Sequence, residues 1–439
     1  MNTNSTAAAD DGLRIRDLGF LTFLTLLNVL NFIDRQLLAS FANWIMPDLG
    51  LTNTQYALLN GLVFLFFYSV MCLFMGTLAD RLNRTRLIAA GLALWSVLTA
   101  ISGRATGFVS LAIPRMFIGV GESIMTPTAM SLLSDRFPAR WLGFASGFYY
   151  MGVPIGVAAS MFIVAYLEPL LGWRGCFYLL GGIGVVLAII MLFIKETPRK
   201  HMQQAEAMAG EDVKGPSFRE IIGTLVTALR TSPALAMTIG GGVAFHFVLG
   251  AASFDQLWYV QERGFDRLEI VEITAWIGIF GGVLGNLFGG VGGDIFLRKT
   301  GMGRPMFLFW IMLVLAPIGV AYRLVEPDSM WFWAGIFFGF FQLGCFYGPT
   351  FSTVQELVPP TIRGTVVAFY LLTLNLVGVA LGITLGGIAI DMMLARGVEE
   401  PYTITLLVFT VLSLTAIPLF YMAGRRYERD RMALFASTT

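Results

Sequence analysis

Charge is scarce in this chain. Of its 439 residues only 13% are Asp, Glu, Lys or Arg, roughly half the share usual in a soluble domain. Two histidines and three cysteines, Cys72, Cys176 and Cys345, stand far apart. That spacing excludes a zinc cage or disulfide framework and reads as small apolar packing residues. Net charge is +1, which says nothing about nucleic acid, and no basic cluster suggests such a partner. A nucleophile triad, a phosphate loop and an HExxH metal site are all missing, so nothing points to an enzyme. Residues 1–11 carry no basic n-region or cleavage site, so the first apolar segment is expected to act as the insertion signal. What the chain has in abundance is hydrophobicity, 56% of its residues and a mean hydropathy of +0.74. That is the composition of a polytopic helical membrane protein.

Twelve segments are long enough to cross about 30 Å of hydrocarbon as helices. They run approximately over 18–46, 55–80, 86–104, 108–134, 141–168, 173–195, 233–261, 270–298, 303–323, 330–357, 361–392 and 402–424. One long hydrophilic interval divides them six and six. The expected organisation is a tail (1–17), a six-helix bundle (18–195), a linker (196–232), a second six-helix bundle (233–424) and a tail (425–439). In the linker, Phe218, Ile221, Ile222, Leu225 and Leu229 recur at helical spacing, predicting an amphipathic surface helix over 217–231. If both termini are cytoplasmic, 21 Lys and Arg fall inside and 6 outside, with Arg35 and Arg115 within the membrane. That asymmetry predicts an N-in, C-in topology.

The few charges inside the apolar segments therefore need a reason, since each is unfavourable by about 2.5–3.5 kcal/mol at the centre of a membrane helix. In the first segment Asn28, Asn31, Asp34 and Arg35 share about one third of the helix circumference. In the fourth, Arg115 and Glu122 are seven residues apart and also share a face. Two acids and two arginines sum to zero charge and can pair. The second half is poorer in such groups. Its polar positions are His246, Asp255, Gln256, Asn286, Gln342 and Asn375, beside the aromatic cluster Phe337, Phe338, Phe340, Phe341, Phe346 and Tyr347. Trp258, Tyr259, Trp331 and Trp333 read as an interfacial belt.

Two loops echo one another. Gly76-Thr-Leu-Ala-Asp80-Arg81-Leu-Asn-Arg84-Thr-Arg86 follows the second segment, and Gly290-Val-Gly-Gly-Asp294, with Arg298, Lys299 and Arg304, follows the eighth. The repeat predicts two homologous halves related by pseudo-symmetry. The first loop resembles the signature of the major facilitator superfamily. Arg115-Met-Phe-Ile-Gly119-Val-Gly121-Glu122 resembles its fourth-helix motif, and Gly143, Gly147, Gly152, Pro154 and Gly156 loosely resemble a fifth-helix motif of exporters. Taken with Asn28-x-x-Asn31-x-x-Asp34-Arg35, the first half looks like the spinster family, while the second matches only in general pattern.

The resemblance implies an all-α fold of two six-helix bundles around a central cavity, a monomer that rocks between inward and outward access, and a place in a bacterial inner membrane. It implies a cytoplasmic gate at Gly76, Asp80, Arg81 and Arg84, with Asp80 at the start of the eleventh helix near Arg363 and Asp294 near Arg140 and Trp141. It further implies proton coupling through Asp34 and Glu122, driven by a proton gradient with no other cofactor. Substrate binding falls to Arg35, Arg115, Asn28, Asn31 and Gln342. The substrate class implied is sphingosine 1-phosphate or a lysophospholipid. Small organic anions or sugar acids, a drug-type exporter and a non-transporting sensor or scaffold remain alternatives.

Overall fold

The computed structural model describes residues 14–198, 218–359 and 362–436; the side-chain surroundings of residues 73, 76, 77, 80, 81, 139, 140, 143, 218–221 and 435–436 also lie outside what it describes. The gate reading at Gly76, Asp80 and Arg81, the linker stretch before Phe218 and the Pro360–Thr361 corner fall there. The described residues are helical, without a strand. The first bundle comprises α1 (Ile15–Ser40), α2 (Ala42–Leu49), α3 (Asn53–Asn60), α4 (Leu62–Arg81), α5 (Arg84–Ser102), α6 (Phe108–Glu122), α7 (Met125–Arg136), α8 (Ala139–Tyr150) and α9 (Gly152–Leu192). After the linker helix α10 (Phe218–Thr231) come α11 (Pro233–Ala251), α12 (Asp255–Gln261), α13 (Arg267–Thr300), α14 (Arg304–Ala321), α15 (Met330–Glu356), α16 (Arg363–Thr373), α17 (Leu381–Leu394), α18 (Pro401–Ser413) and α19 (Ala416–Ala436).

Eleven stretches among the described residues are long and apolar enough to span a membrane. One of them, Phe144–Leu192, has 49 residues, about 74 Å of helix and far more than one bilayer. It is broken at Gly172, whose φ of 66° no helix contains. Divided there it supplies two segments and brings the number to twelve. Several other spans are interrupted in mid-course, as happens where a helix lines a site rather than lipid. The fourth turns just after Glu122, and the eleventh has a π-helical stretch at Leu374–Ala380 between α16 and α17.

The two bundles carry matching ionic staples at the end that holds the chain termini. Arg84, at the start of α5, is 1% exposed. Its guanidinium donates to Asp135 at 2.5 Å, Glu196 at 2.7 Å, the Thr197 carbonyl at 2.6 Å and the Ser131 hydroxyl at 2.9 Å. Arg304, at the start of α14, donates to Asp294 at 2.8 Å and Glu356 at 2.6 Å, and the Tyr427 hydroxyl donates to the same Glu356. Arg84 thus ties three helix ends of its own bundle. Asp294 was expected to face the start of the fifth segment near Arg140, whose side chain lies outside the described residues; within its own half its Oδ1 accepts from Arg304. The Arg363 guanidinium bonds the Gln355 carbonyl at 3.0 Å, bracing the corner between α15 and α16.

At the opposite, distal end the bundles are joined to each other. Asp391, near the end of α17, accepts from the Asn53 amide N–H at 3.1 Å, the Asn53 side chain at 2.9 Å and the Thr54 N–H at 2.7 Å. A carboxylate of one bundle therefore caps the first turn of α3 in the other, where free N–H groups and the helix dipole favour negative charge. Tyr402 donates to Asn53 at 2.7 Å, Tyr56 to the Ser253 carbonyl at 2.8 Å and Asn43 to the Gln256 carbonyl at 2.8 Å. These hydrogen bonds between the bundles lie in the distal half.

The linker helix α10 presses Leu225 and Ala228 into the second bundle while Ile222 and Val226 stay exposed. The aromatic belt is corrected in part. Trp258 and Tyr259 are buried, and the Trp258 indole donates to Thr403 at 2.7 Å; Trp331 is exposed as expected.

Replacing Arg84 with Ala leaves Asp135 and Glu196 uncompensated, a loss of about 3–5 kcal/mol for a broken buried pair. The expected result is a melting midpoint in detergent several degrees lower. Replacing Asp391 with Ala uncaps α3 across the bundle boundary. Spin labels at exposed Leu170 and Arg396 should then report a longer, broader distal separation, and an unchanged distribution would deny Asp391 a part in the seal.

Candidate functional site

Close helix packing builds the site. A Cβ on Gly119 would lie 2.8 Å from the Phe64 carbonyl, and one on Gly121 would lie 3.0 Å from the Gly91 carbonyl. The glycines of the Arg115 motif therefore let α6 lie against both α4 and α5. Gly152 and Gly156 do the same for α9 against Asn28, Val29 and Phe32 of α1, which accounts for these two glycines of the fifth segment by packing, whereas a Cβ on Gly147 would meet nothing within 4 Å.

Between these helices the four ionisable groups meet as the sequence pattern required, but not as two matched pairs. Arg35 Nε lies 3.5 Å from Glu122 Oε2, with the arginine side chain 19% exposed and the glutamate fully covered. Arg115 does not pair with a carboxylate. Its guanidinium donates to the main-chain carbonyls of Asp34 at 3.3 Å and Arg35 at 3.4 Å. That clamps α6 to α1 at the point where the stripe is most polar. Asp34 is 3% exposed, and its neighbours are Trp95 and Thr99 of α5. Neither of its carboxylate oxygens makes a hydrogen bond of ordinary geometry, and the same holds for both oxygens of Glu122 and for Nε and Nη2 of Arg35.

Aromatic faces hold the guanidinium groups in place. The Arg35 guanidinium carbon is 4.1 Å from the Tyr68 ring centroid, 5.1 Å from Phe32 and 5.3 Å from Phe64; that of Arg115 is 4.8 Å from the same Phe64. Arginine suits such a cage because its flat ion stacks while its edge still donates. Tyr68 and Phe64 were not singled out from sequence, since aromatics are common in every span. Their spacing of four on the helix after Gly61 is the only signal they carry.

The remaining expected residues divide. Asn31 is buried beside Glu122. Asn28 is used elsewhere: its amide donates to the Tyr149 carbonyl at 2.9 Å, binding α1 to α8. Gln342 is half-buried on α15, and no hydrogen bond joins it to the cluster among the described residues. Phe340 and Phe341 pack on the Gly278, Gly281 and Gly285 stripe of α13, so part of the aromatic run is helix contact. Tyr347, by contrast, is close enough to Arg35 to sense its charge.

The second half holds a buried charge that the sequence reading left at the end of its ninth segment, among the six cations counted outside the membrane. Arg323 is 1% exposed. It lies 2.8 Å from Asp255 and stacks on Trp258 and Tyr322 at 4.6 and 4.3 Å. Asp255 opens α12, just where the seventh span is broken by a 3-10 turn at Ala252–Phe254. Tyr56 stands within electrostatic reach of both Arg115 and Asp255, so the two charged regions share a neighbour.

The family model described as Major Facilitator Superfamily matches residues 24–383. The chain is 26% identical over 421 residues to an MFS-type efflux pump of Mycolicibacterium smegmatis, covering 93% of this chain and 92% of that one. It is 26% identical over 387 residues to a hexuronate transporter of Bacillus subtilis, covering 84% and 87%. In fold it is similar to the crystal structure of a bacterial homologue of the human lysosomal transporter spinster, in an inward-facing and unoccupied conformation. There the TM-score is 0.81 and the identity 23%, over 96% of this chain and 99% of that one. With twelve membrane segments, two bundles and a family match over most of its length, the chain belongs to the Major Facilitator Superfamily of membrane transporters.

Proposed function

We propose that this transporter moves an amphipathic anion of the lysophospholipid or sphingosine 1-phosphate class by proton-coupled alternating access, with the anionic head at Arg35. The observation that supports this reading is the unmet hydrogen-bonding capacity of the cluster. Arg35 points two buried N–H groups, Nε and Nη2, at no acceptor of good geometry. Buried polar groups are rarely left so, and those that are need an explanation. Phosphate or carboxylate oxygens fit such a fork, and an ionised acceptor makes the bond stronger and shorter.

Proton coupling follows from Glu122. Its carboxylate and the substrate anion compete for one guanidinium, so protonating Glu122 releases Arg35 to the substrate. Asp34, one residue before Arg35 on α1 and facing α5, is placed to carry a second proton at the foot of the same helix contact. Rocking of the two bundles about the site would then exchange the distal seal of Asp391, Asn53 and Tyr402 for closure at the proximal end. The excess of Lys and Arg at the termini-bearing side supports cytoplasmic termini in a bacterial inner membrane, and the two-bundle architecture is complete as a monomer.

A second reading is a small organic anion or sugar acid. The hexuronate transporter is similar over most of both chains, and Phe340 and Phe341, occupied against α13, leave less apolar wall for an acyl tail. A thermal-shift screen with sphingosine 1-phosphate, 1-lauroyl lysophosphatidate and glucuronate separates the two readings. The lipid reading expects stabilisation by the first two, and stabilisation by glucuronate alone would sink it. Arg35→Ala should weaken binding of the stabilising anion at least about 30-fold, the equivalent of roughly 2 kcal/mol for a truncated buried charge contact.

For coupling, Glu122→Gln and Asp34→Asn are each expected to reduce, and together to abolish, the pH dependence of the distal spin-label distance. A double variant with the wild-type pH response would end the proton-switch mechanism.

A further inference from the structure

On the second bundle sits a pair of side chains that the proposed mechanism has not used. His246 of α11 is 3% exposed, and its Nδ1 lies 2.8 Å from the Gly242 carbonyl. A carbonyl can only accept, so in the neutral ring Nδ1 carries the hydrogen and Nε2 is left as a bare acceptor. The Tyr347 hydroxyl of α15 lies 3.4 Å from that Nε2. The tyrosine proton is therefore directed at the histidine, and its oxygen lone pairs remain to accept a donor.

Both rings are held in position. The His246 ring meets Phe346 edge-on at 4.9 Å, and Tyr347 stacks on Phe351 at 6.2 Å. A Cβ on Gly378 would lie 2.5 Å from His246 Cβ, so the π-helical stretch of the eleventh span lies directly against the histidine. Tyr347 thus offers an acceptor, not a donor, within electrostatic reach of Arg35. Against Arg35 stands Glu122, with both carboxylate oxygens lacking a donor of good geometry.

From this arrangement we infer that Tyr347, oriented by His246, is a specificity-determining residue that selects anions bearing a hydroxyl or ammonium donor next to the charged group. The deduction rests on the anion reading of Arg35 given above. Arg35 takes the anionic oxygens, while the neighbouring donor of the substrate bonds Tyr347 Oη or Glu122. An anion without that donor leaves buried acceptors unpaired. A site built to bond a substrate hydroxyl discriminates far more strongly against its absence than an apolar pocket can against an extra methylene. Tyr347 and Arg35 come from different bundles, so such a substrate also bridges the two halves that rock against each other.

The test uses two matched pairs of probes with the full-length protein in lipid nanodiscs, read as apparent affinity from ligand-dependent thermal stabilisation. One pair is 1-lauroyl lysophosphatidate, which has a glycerol hydroxyl, against dodecyl phosphate, which has none. The other is glucuronate against hexanoate. In whichever pair binds, the hydroxylated member is expected to bind at least tenfold tighter. Tyr347→Phe should reduce that ratio to about threefold or less. His246→Leu, which frees the tyrosine proton for the anion, should narrow it by improving the probe without the donor. Equal affinity within the binding pair overturns the selection, and this wild-type comparison stands even if neither variant folds. An undiminished ratio in Tyr347→Phe removes Tyr347 from the role. If no member of either pair binds, it is the anion site at Arg35 that fails, and the selection fails with it.

Discussion

Arg35 and Glu122 face each other at 3.5 Å between helices otherwise made of Leu, Phe, Ile and Val. In hydrocarbon neither could remain ionised without a partner, and even here each has bonding capacity to spare. The surroundings answer that constraint. Glycines at 119 and 121 bring α6 against its neighbours, Arg115 clamps the main chain of α1, and Phe64 and Tyr68 shelter the guanidinium groups from lipid. A tightly satisfied ion pair would have made a rigid bundle. A loosely satisfied one leaves room for the anion and the proton of the proposed mechanism to alter the balance.

The two ends of the molecule handle charge differently. At the proximal end Arg84 and Arg304 each gather acids from their own bundle, so the staples make each half a solid body. At the distal end Asp391 reaches across to cap α3 of the other half. The first arrangement survives a rocking motion, since every partner moves together. The second must break for the distal side to open. Internal rigidity with a breakable seam is the mechanical requirement of alternating access.

Much of this was legible in the chain. Scarce charge and twelve apolar runs give a membrane protein of two halves, because hydrocarbon leaves helices few alternatives. The same scarcity marks Asp34, Arg35, Arg115 and Glu122 as a group, and the structure brings them together. Who bonds whom was not legible. Arg115 was expected to pair with an acid and instead holds two carbonyls; Asn28 binds a helix backbone; Asp294 serves its own bundle. Arg323 was counted among the outer cations because it ends an apolar run, yet the break at Ala252–Phe254 brings Asp255 to it.

The sequence by itself thus determined the class of molecule, the number of segments, the doubling of the halves and the identity of the buried charges. Each of these depends on composition and period, which act locally and are felt by any helix placed in a bilayer. Tertiary structure decided the pairings, the clamp of Arg115 on the main chain of α1 and the distal cap at Asp391 across the bundle boundary. Those contacts join residues from about eighty to more than three hundred positions apart. No periodicity in one helix can specify a distance to another; only the packing of both against shared neighbours does.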